Sequence, residues 1–378
     1  MKKILVVFGT RPEAIKLAPL IHELKKSSEF DTSVCITSQH KEMLTQVLEL
    51  FRIEPDFDLD IMHQAQDLFD ISSNILAKMK ILLRSLSPDI VIVHGDTSTT
   101  FSTALACYYL NIKVAHVEAG LRTYNLNAPF PEEFNRQATG LISNYHFAPT
   151  NEAKENLINE NKLTETIFVT GNTVVDSLFY IRDKLDNHVG FREKILKKLN
   201  HITGFDIRKN KYILITGHRR ENFGKKFQNI CLAIKQIAID NPNVKFIYPV
   251  HLNPNVQEPV NEILIGLENV HLIRPVSYED FICLMMNCYF ILTDSGGIQE
   301  EAPSFGKPVL LMRSNTERPE GINAGTVILV GSETDNIIKH CNELLKDKQK
   351  YFKMSSSSNP FGDGNASTII TEILKKIL

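Results

Sequence analysis

Short apolar runs alternate with amphipathic segments along most of the chain, and this pattern restricts the fold more strongly than any other feature. Buried parallel strands need long crossover connections, which are usually helices, so the alternation predicts parallel sheets with right-handed crossovers. In the first half the predicted strands are 4–8, 33–37, 89–94, 112–117 and 145–148, and the predicted helices are 13–26, 41–51, 70–86, 98–110 and 131–143. In the second half the predicted strands are 212–216, 244–250, 270–273, 289–292, 308–311 and 326–329.

The alternation weakens over residues 183–210, where Asp, Asn, Lys and Gly dominate, and it resumes at Tyr212. A chain of 378 residues suggests two or three domains at roughly 150 residues each. We therefore predict an α/β protein with two doubly wound Rossmann-like domains, residues 1–175 and 176–365, that face each other across a cleft. The last helical segment, 366–378, could pack back onto the N-terminal domain.

Composition narrows the class of protein further. The chain is 43% hydrophobic and 23% charged, as expected for a soluble globular protein, and its net charge of −2 argues against nucleic acid or an anionic membrane as a partner. No apolar run approaches the roughly 18 residues of a membrane span, and the first apolar run ends at Gly9, so it predicts a strand rather than a signal peptide. The six cysteines form no C-x-x-C pair, which favours reduced thiols in a cytoplasmic protein and no metal site.

One strand-to-helix junction indicates an anion site. Residues 289–292 form a predicted strand that runs into Asp294-Ser295-Gly296-Gly297, and a helix is predicted to begin near Ile298. Glycines let the backbone approach a bulky anion closely, and the exposed N–H groups suit a diphosphate. Glu300 and Glu301, just inside the helix, suit sugar or ribose hydroxyls. The alternative is a strand–turn–helix whose glycines serve only tight packing.

Acidic side chains follow the strands of the first half. Asp96 and Glu118 each come directly after a predicted strand, and Glu132 opens a predicted helix. Because parallel strands end at one edge of their sheet, these three carboxylates are expected to lie together and to suit proton transfer. The alternatives are structural: Asp96 in a helix-capping run, Glu118 paired with Arg122, and Glu132 or Glu133 stabilising a helix start. Arg11 and Lys16, after the first strand, suit a phosphate or are ordinary surface cations.

Cationic and imidazole groups follow the strands of the second half. Gly217-His218-Arg219-Arg220 follows one strand, His251 ends another, and Arg313 and Arg318 follow a third. The segment Ile4–Arg11 also weakly resembles Ile213–Arg220, as a first strand, a glycine and a basic loop. Carboxylates thus follow the strands of the first half, and anion-binding groups follow those of the second half. This difference predicts that the second half binds a nucleotide diphosphate, while the first half performs proton chemistry on the group attached to that diphosphate.

The motifs together resemble those of the bacterial non-hydrolysing UDP-N-acetylglucosamine 2-epimerases, in order and from residue 1 to about 375. The matching segments are Phe8-Gly9-Thr10-Arg11-Pro12-Glu13, His94-Gly95-Asp96-Thr97, His116-Val117-Glu118-Ala119-Gly120, Pro131-Glu132-Glu133-Phe134-Asn135-Arg136, Thr170-Gly171-Asn172-Thr173, Gly217-His218-Arg219-Arg220-Glu221-Asn222, Asp294-Ser295-Gly296-Gly297 and Thr316-Glu317-Arg318-Pro319-Glu320.

The resemblance implies a glycosyltransferase-B-type architecture, a homodimer, and interconversion of UDP-GlcNAc and UDP-ManNAc without a cofactor. It makes Asp96, Glu118, Glu132 and His218 catalytic. The residues that it implies for nucleotide binding are Arg11, Lys16, Phe281 (against the uracil), Ser295, Gly296, Gly297, Glu301 and Arg318.

Some relatives of this kind also bind a second UDP-GlcNAc as an activator. The residues matching that site are Gln39, Glu42, Arg219, Glu221 and His251, together with His218. Glu42 and Ala65 stand where certain relatives have glutamine and arginine, so the match is incomplete at these two positions.

The expected reaction is elimination of UDP to a 2-acetamidoglucal, followed by re-addition with the proton delivered to the other face of the sugar. Two other activities fit the same nucleotide-sugar site. One is a hydrolysing 2-epimerase that releases UDP and N-acetylmannosamine, and the other is a glycosyltransferase, although three clustered acids exceed what glycosyl transfer requires.

Overall fold

The computed structural model describes residues 1–38, 41–63 and 66–378, and for 41–43 it describes the backbone alone. The chain divides into two compact units. The N-terminal unit comprises Met1–Ser177 and Phe361–Leu378, and the C-terminal unit comprises Leu178–Pro360. None of the helices in the described ranges combines the length and the apolar character needed to cross a bilayer.

Each unit is built on one parallel sheet. The strands of the N-terminal unit are β1 (Lys2–Phe8), β2 (Phe30–Ile36), β3 (Phe57–Asp58), β4 (Ile90–His94), β5 (Lys113–Val117), β6 (Tyr145–Ala148) and β7 (Ile167–Val169). Those of the C-terminal unit are β8 (Tyr212–Thr216), β9 (Lys245–Pro249), β10 (Val270–Ile273), β11 (Phe290–Thr293), β12 (Val309–Leu311) and β13 (Val327–Leu329). The prediction of two doubly wound Rossmann-like domains is confirmed.

Helices connect the strands. They are α1 (Arg11–Lys26), α2 (Lys41–Phe51), α3 (Leu68–Leu86), α4 (Ser98–Tyr109), α5 (Glu132–Ile142), α6 (Asn151–Asn159), α7 (Thr173–Asn187), α8 (Val189–Thr203), α9 (Lys225–Asp240), α10 (Pro254–Leu264), α11 (Tyr278–Asn287), α12 (Gly296–Glu301), α13 (Pro319–Asn323), α14 (Thr334–Lys346), α15 (Lys348–Ser355) and α16 (Ala366–Ile377). The C-terminal helix α16 belongs to the N-terminal unit, where Asp176 of α7 accepts hydrogen bonds from the backbone N–H groups of Ala366 and Ser367.

Both sheets reverse their winding at a central strand pair. The strand order is β3-β2-β1-β4-β5-β6-β7 in the first sheet and β10-β9-β8-β11-β12-β13 in the second. Winding therefore changes direction between β1 and β4 and again between β8 and β11, and ligands of such sheets bind at the carboxyl ends of these strands. The weak sequence echo between Ile4–Arg11 and Ile213–Arg220 corresponds to equivalent positions, since β1 and β8 each border the switch point of their sheet.

The elements that the sequence pattern missed include two edge strands and helix α8. Strands β3 and β7 are two and three residues long, too short to form a recognisable apolar run. Helix α8 lies in the polar stretch where the alternation weakens, and it buries the narrow stripe Ile195, Leu196 and Leu199. The surrounding Lys and Asn residues weaken the helical periodicity of so narrow an apolar stripe, so the helix could not be recognised from the polar composition of this stretch.

Candidate active site

The switch point of the N-terminal sheet is held together by a buried glutamate. Glu13, in the first turn of α1, is only 2% exposed. Its Oε2 accepts hydrogen bonds from the backbone N–H groups of Gly9 (3.0 Å) and Thr10 (2.8 Å), and its Oε1 accepts one from the Thr97 hydroxyl (2.6 Å). The loop after β1 is thereby joined to the loop after β4. Arg11 follows Thr10 directly, as the half-buried first residue of α1.

Glu118 follows β5 and lies in a compact polar cluster. Its carboxylate forms an ion pair with Lys16 of α1, accepts a hydrogen bond from Asn172 Nδ2 (2.9 Å), and lies 3.8 Å from His94 Nε2. Its backbone has a φ of +62°, a left-handed conformation that is uncommon for a residue with a side chain. Strain of this kind concentrates at functional sites, where the surrounding contacts maintain it.

Arg122 does not pair with Glu118. Its guanidinium instead binds Glu160 through two hydrogen bonds, from Nε to Oε1 (2.6 Å) and from Nη2 to Oε2 (2.8 Å). The structural alternative for Glu118 considered from the sequence is therefore wrong, because the arginine has a different partner 38 residues further along the chain.

Asp96 lies in the loop after β4 and contacts Arg136 of α5. Its Oδ2 is 2.7 Å from Arg136 Nη2, and its backbone carbonyl accepts a hydrogen bond from Asn135 Nδ2 (2.9 Å). Burial raises the pKa of Asp96 above its ordinary value, although Arg136 opposes the shift. Asp96 does not cap α4, because the Thr97 hydroxyl accepts the hydrogen bond from Thr100 N–H.

The two adjacent glutamates at the start of α5 have different environments. Glu133 is fully buried and accepts hydrogen bonds from the backbone N–H groups of Thr123 and Tyr124, both at 3.0 Å. These bonds and one from Gln137 outweigh the effect of burial and lower the pKa of Glu133. Glu132 Oε2 is shielded from solvent and has no hydrogen-bond partner in the described ranges. Glu133 therefore has the structural role, and Glu132 remains the candidate for chemistry.

Three buried histidines line the adjacent strands. His94, His116 and His146 lie on β4, β5 and β6, and each is at most 3% exposed. Burial lowers the pKa of His94 to about 4 and those of His116 and His146 to about 3, so all three are neutral near pH 7. His116 Nε2 lies 2.7 Å from the Gly95 carbonyl, which fixes the loop that carries Asp96.

In the C-terminal unit, Asp294 joins the loops at the second switch point. It follows β11, is fully buried, and accepts hydrogen bonds from the backbone N–H groups of His218 (3.0 Å to Oδ2) and Arg219 (2.9 Å) in the loop after β8. Asn222 Nδ2 also donates to Asp294 Oδ2, at 3.2 Å. The His218 ring stacks on His251 with ring centroids 5.5 Å apart, and partial burial lowers the pKa of His218.

An ion-pair network surrounds Arg318. Its guanidinium binds Glu300 and Glu317, while Arg313 binds Glu317 (2.7 Å) and Glu221 (2.7 Å). Burial alone would raise the pKa of Glu317, but Arg318 and Arg313 outweigh it and lower the pKa to about 2. Glu300 and Glu317 thus orient the Arg318 side chain. Glu300, expected from the sequence to meet a sugar hydroxyl, is fully buried and binds Arg318, and neither ion pair was predicted from the sequence.

Gly296 is packed against this network. A Cβ atom at Gly296 would lie 2.8 Å from Arg318 Nη1 and 3.2 Å from Arg219 Nη2. A side chain at this position would displace the Arg318 guanidinium, so both guanidinium groups lie beside the Ser295–Gly297 backbone. The neighbouring Gly297 faces Glu301, because a Cβ atom at Gly297 would lie 3.4 Å from Glu301 Oε1.

Phe281 and a surface pocket lie on other elements of the same unit. Phe281, in α11, is half-buried. An open pocket of about 510 Å³ lies at the carboxyl ends of β9 and β10, bordered by residues that include Val250, Leu252, Ile273, Arg274 and Pro275. Its apolar walls and size suit a planar ring.

The residues matched to the activator site are only partly described. Gln39, Ala65 and the side chain of Glu42 lie outside the described residues. Arg219 lies 4.0 Å from Glu317, and Glu221 pairs with Arg313, so both belong to the network around Arg318.

The family model, the similar sequences and the similar solved structure all indicate one protein family. Residues 22–375 match the family described as UDP-N-acetylglucosamine 2-epimerase. The chain is 54% identical over 377 residues to the Campylobacter jejuni protein of that name, covering 100% of this chain and 98% of the relative, and 52% identical to the Escherichia coli K12 protein, covering 99% and 98%. It is also similar to the crystal structure of the Neisseria meningitidis UDP-GlcNAc 2-epimerase bound to UDP-GlcNAc, with a TM-score of 0.92, 50% identity, and coverage of 99% of this chain and 100% of that chain.

Proposed function

Because the chain belongs to the UDP-N-acetylglucosamine 2-epimerase family, we propose that it interconverts UDP-GlcNAc and UDP-ManNAc without hydrolysing them. In the proposed reaction the C1–O bond to UDP breaks and a base removes the C2 proton, which gives UDP and a 2-acetamidoglucal. Re-addition of UDP at C1, with a proton delivered to the opposite face of C2, gives the epimer. The sequence of steps needs no redox cofactor, because no electrons are gained or lost overall.

The observation that carries the proposal is the group of carboxylates at the edge of the N-terminal sheet. Glu118 is paired with Lys16, whereas the pKa of Asp96 is raised by its surroundings, and Glu132 has an oxygen shielded from solvent. Acid–base catalysis on one substrate requires groups that hold and release protons differently, and contrasting environments provide this. We assign the two proton transfers to Asp96, Glu118 and Glu132 as a group.

The C-terminal unit is assigned to UDP. The Ser295–Gly297 backbone and Arg318 would bind the diphosphate and stabilise the charge that develops on it as the C1–O bond breaks. This assignment is supported by the close approach of Arg318 and Arg219 to Gly296. Glu301 would accept a hydrogen bond from a ribose hydroxyl. The uracil would lie against Phe281 and enter the pocket at the ends of β9 and β10.

Three further residues complete the assignment. His218, whose pKa is lowered, would contact the diphosphate or transfer a proton as a neutral imidazole near pH 7. Arg11, in the N-terminal unit, would add positive charge for the leaving group, and Lys16 would contact the substrate beside Glu118.

Incubation with UDP-GlcNAc in heavy water tests the function. We expect UDP-ManNAc with deuterium at C2 and deuterium incorporation into the remaining UDP-GlcNAc, while the sugar stays attached to UDP. Release of free N-acetylmannosamine with UDP would instead identify a hydrolysing 2-epimerase. Unlabelled UDP-GlcNAc after long incubation would contradict epimerisation and direct attention to glycosyl transfer.

The active form is proposed to be a homodimer. The N-terminal unit exposes apolar side chains on three neighbouring helices, Ile81 on α3, Tyr109 on α4 and Leu141 on α5, beside a groove of about 400 Å³ between α3 and α4. Apolar patches of this kind commonly mark protein–protein contacts. Sedimentation should give twice the chain mass, and Ile81→Glu should lower it; a monomeric wild type would contradict the proposal.

A further inference from the structure

Glu13 has more hydrogen bonds than helix capping requires. Through Oε2 it accepts the backbone N–H groups of Gly9 and Thr10, which serves the start of α1. Through Oε1 it accepts the Thr97 hydroxyl at 2.6 Å and the Thr100 hydroxyl at 3.1 Å, both on the far side of the switch point. Only the first pair of bonds is explained by the local helix, so the second oxygen has a separate role.

Keeping a carboxylate at this position is energetically costly. Burial raises the pKa of Glu13, and the hydrogen bonds from Thr97, Gly9 and Thr10 act against the shift. The N-cap of α1 is already Thr10, and Glu13 at N3 needs only one oxygen to accept the backbone N–H groups at the start of the helix. A glutamate is long enough to reach the loop after β4 and has two oxygens, so that it can bind both loops at once.

The two loops that Glu13 joins carry two residues of the proposed reaction. Arg11 directly follows Thr10, and Asp96 directly precedes Thr97. The backbone at Gly9 is tightly packed, because a Cβ atom there would lie 2.1 Å from Thr37 Oγ1 and 2.4 Å from Thr99 Oγ1. A shift of either loop would therefore change the separation of the Arg11 and Asp96 backbones.

We propose that Glu13 is a positioning residue that fixes Arg11 and Asp96 relative to each other by binding the loops after β1 and β4 together. This inference rests on the proposed function, since it assigns Asp96 to proton transfer and Arg11 to the leaving group. Glu13 does not contact the substrate in this role. Its contribution should therefore appear in kcat, because displacement of a catalytic group by about 1 Å can reduce a rate by about 100-fold.

The test compares Glu13→Ala and Glu13→Gln with Asp176→Asn. Asp176 is a matched control, because it is a buried carboxylate of the same unit that accepts two backbone N–H groups and has a pKa raised by burial, but it joins α7 to α16. For each protein we would measure the unfolding midpoint, kcat and KM for UDP-GlcNAc well below that midpoint, and UDP affinity by calorimetry.

We expect Glu13→Ala to lower kcat about 100-fold and Glu13→Gln about 10-fold, with KM and UDP affinity within about threefold of the wild type. Glutamine should have the smaller effect because its oxygen still accepts the backbone N–H groups, while its amide cannot accept the Thr97 hydroxyl. Asp176→Asn should lower the unfolding midpoint and leave kcat within about threefold.

Other outcomes would overturn the inference. It fails if folded Glu13→Ala retains a wild-type kcat, or if Asp176→Asn loses as much kcat as Glu13→Ala. If Glu13→Ala does not fold, Glu13→Gln decides, and a wild-type kcat in that variant rejects the role. A wild type that does not exchange the C2 proton refutes the proposed function and this inference with it, whereas an active wild type with fully active Glu13 variants refutes the inference alone.

Discussion

At each switch point a buried carboxylate holds two loops together, but the two carboxylates come from different structural elements. In the N-terminal unit, Glu13 of α1 binds the N–H groups of its own loop and reaches across to Thr97. In the C-terminal unit, Asp294 follows β11 and reaches across to the N–H groups of His218 and Arg219. Both units therefore fix two loops with one buried acid, although the residues are not equivalent in the sequence.

The side chains presented at the two switch points differ in charge. In the N-terminal unit the central groups are carboxylates, and cations support them: Lys16 binds Glu118 and Arg136 binds Asp96. In the C-terminal unit the relation is reversed, since Glu300 and Glu317 orient the guanidinium of Arg318. Both units tie two loops with a buried acid, whereas the charge of the supported group differs between them, as the proposed division into proton chemistry and anion binding requires.

The largest predicted effect separates a catalytic carboxylate from a structural one. Glu118→Gln should lower turnover by about 100- to 10,000-fold, because an amide can neither accept nor release the proton as a carboxyl group does, while UDP still binds to the C-terminal unit. Steady-state rates and UDP calorimetry would measure both quantities. Glu160→Gln is the matched control, since Glu160 is also a carboxylate bound to a cation in the same unit but has no part in the proposed reaction. Losing this pair with a buried arginine can lower stability, whereas turnover measured below the unfolding midpoint should stay within about threefold. Near-normal turnover in Glu118→Gln would remove its proposed role.

As the pH falls, the N-terminal unit should lose stability at a higher pH than the C-terminal unit. The folded-state pKa values of His94 (about 4), His116 and His146 (about 3) lie below the unfolded value of about 6.5. Their stabilising contribution is present above about pH 6.5 and is lost as pH falls, at about 2 kcal/mol per histidine at pH 5. In the C-terminal unit burial also lowers the pKa of His218 and His271, but by less. Glu317 has a folded pKa of about 2, so its contribution is lost only below its unfolded value of about 4.5.

Hydrogen exchange measured by mass spectrometry at pH 7 and pH 5 would test this order. After correction for intrinsic exchange, peptides from β4 to β6 should lose more protection than peptides from β8 and β11. His146→Gln, which keeps a polar side chain that does not titrate, should reduce the pH-dependent loss by about 2 kcal/mol. Equal loss in both units, or no change in this variant, would contradict the assignment of acid sensitivity to the buried histidines.

The sequence predicted the strand ends well because parallel strands bring consecutive loops to one edge. Asp96, Glu118, His218 and Ser295 each come after a strand that a short apolar run identifies. Their partners could not be predicted in this way. Lys16 and Glu118 are 102 residues apart, and Asn172 and Glu118 are 54 apart, so only the packing of α1, β5 and the loop after β7 brings them together.

The sequence also could not distinguish acids with the same local context. Glu132 and Glu133 are adjacent at a helix start, and both suit the helix dipole. The difference is that Glu133 turns toward the N–H groups of Thr123 and Tyr124, which are contributed by a loop. A loop conformation has no periodic sequence signal, so the structural glutamate could be identified only from the folded structure.

The smallest predicted effect concerns the glycine beside Arg318. Gly296→Ala places a methyl group where Arg318 Nη1 would be 2.8 Å away, so the guanidinium must move while the fold is retained. We expect about 10-fold weaker UDP binding, equivalent to about 1.4 kcal/mol. Gly190→Ala is the control, because a Cβ atom there meets nothing within 4 Å, and UDP affinity should not change. Unchanged UDP affinity in Gly296→Ala would show that Arg318 is not held at this position to bind the diphosphate. The proposed contrast between the two switch points would then hold only for the carboxylates of the N-terminal unit.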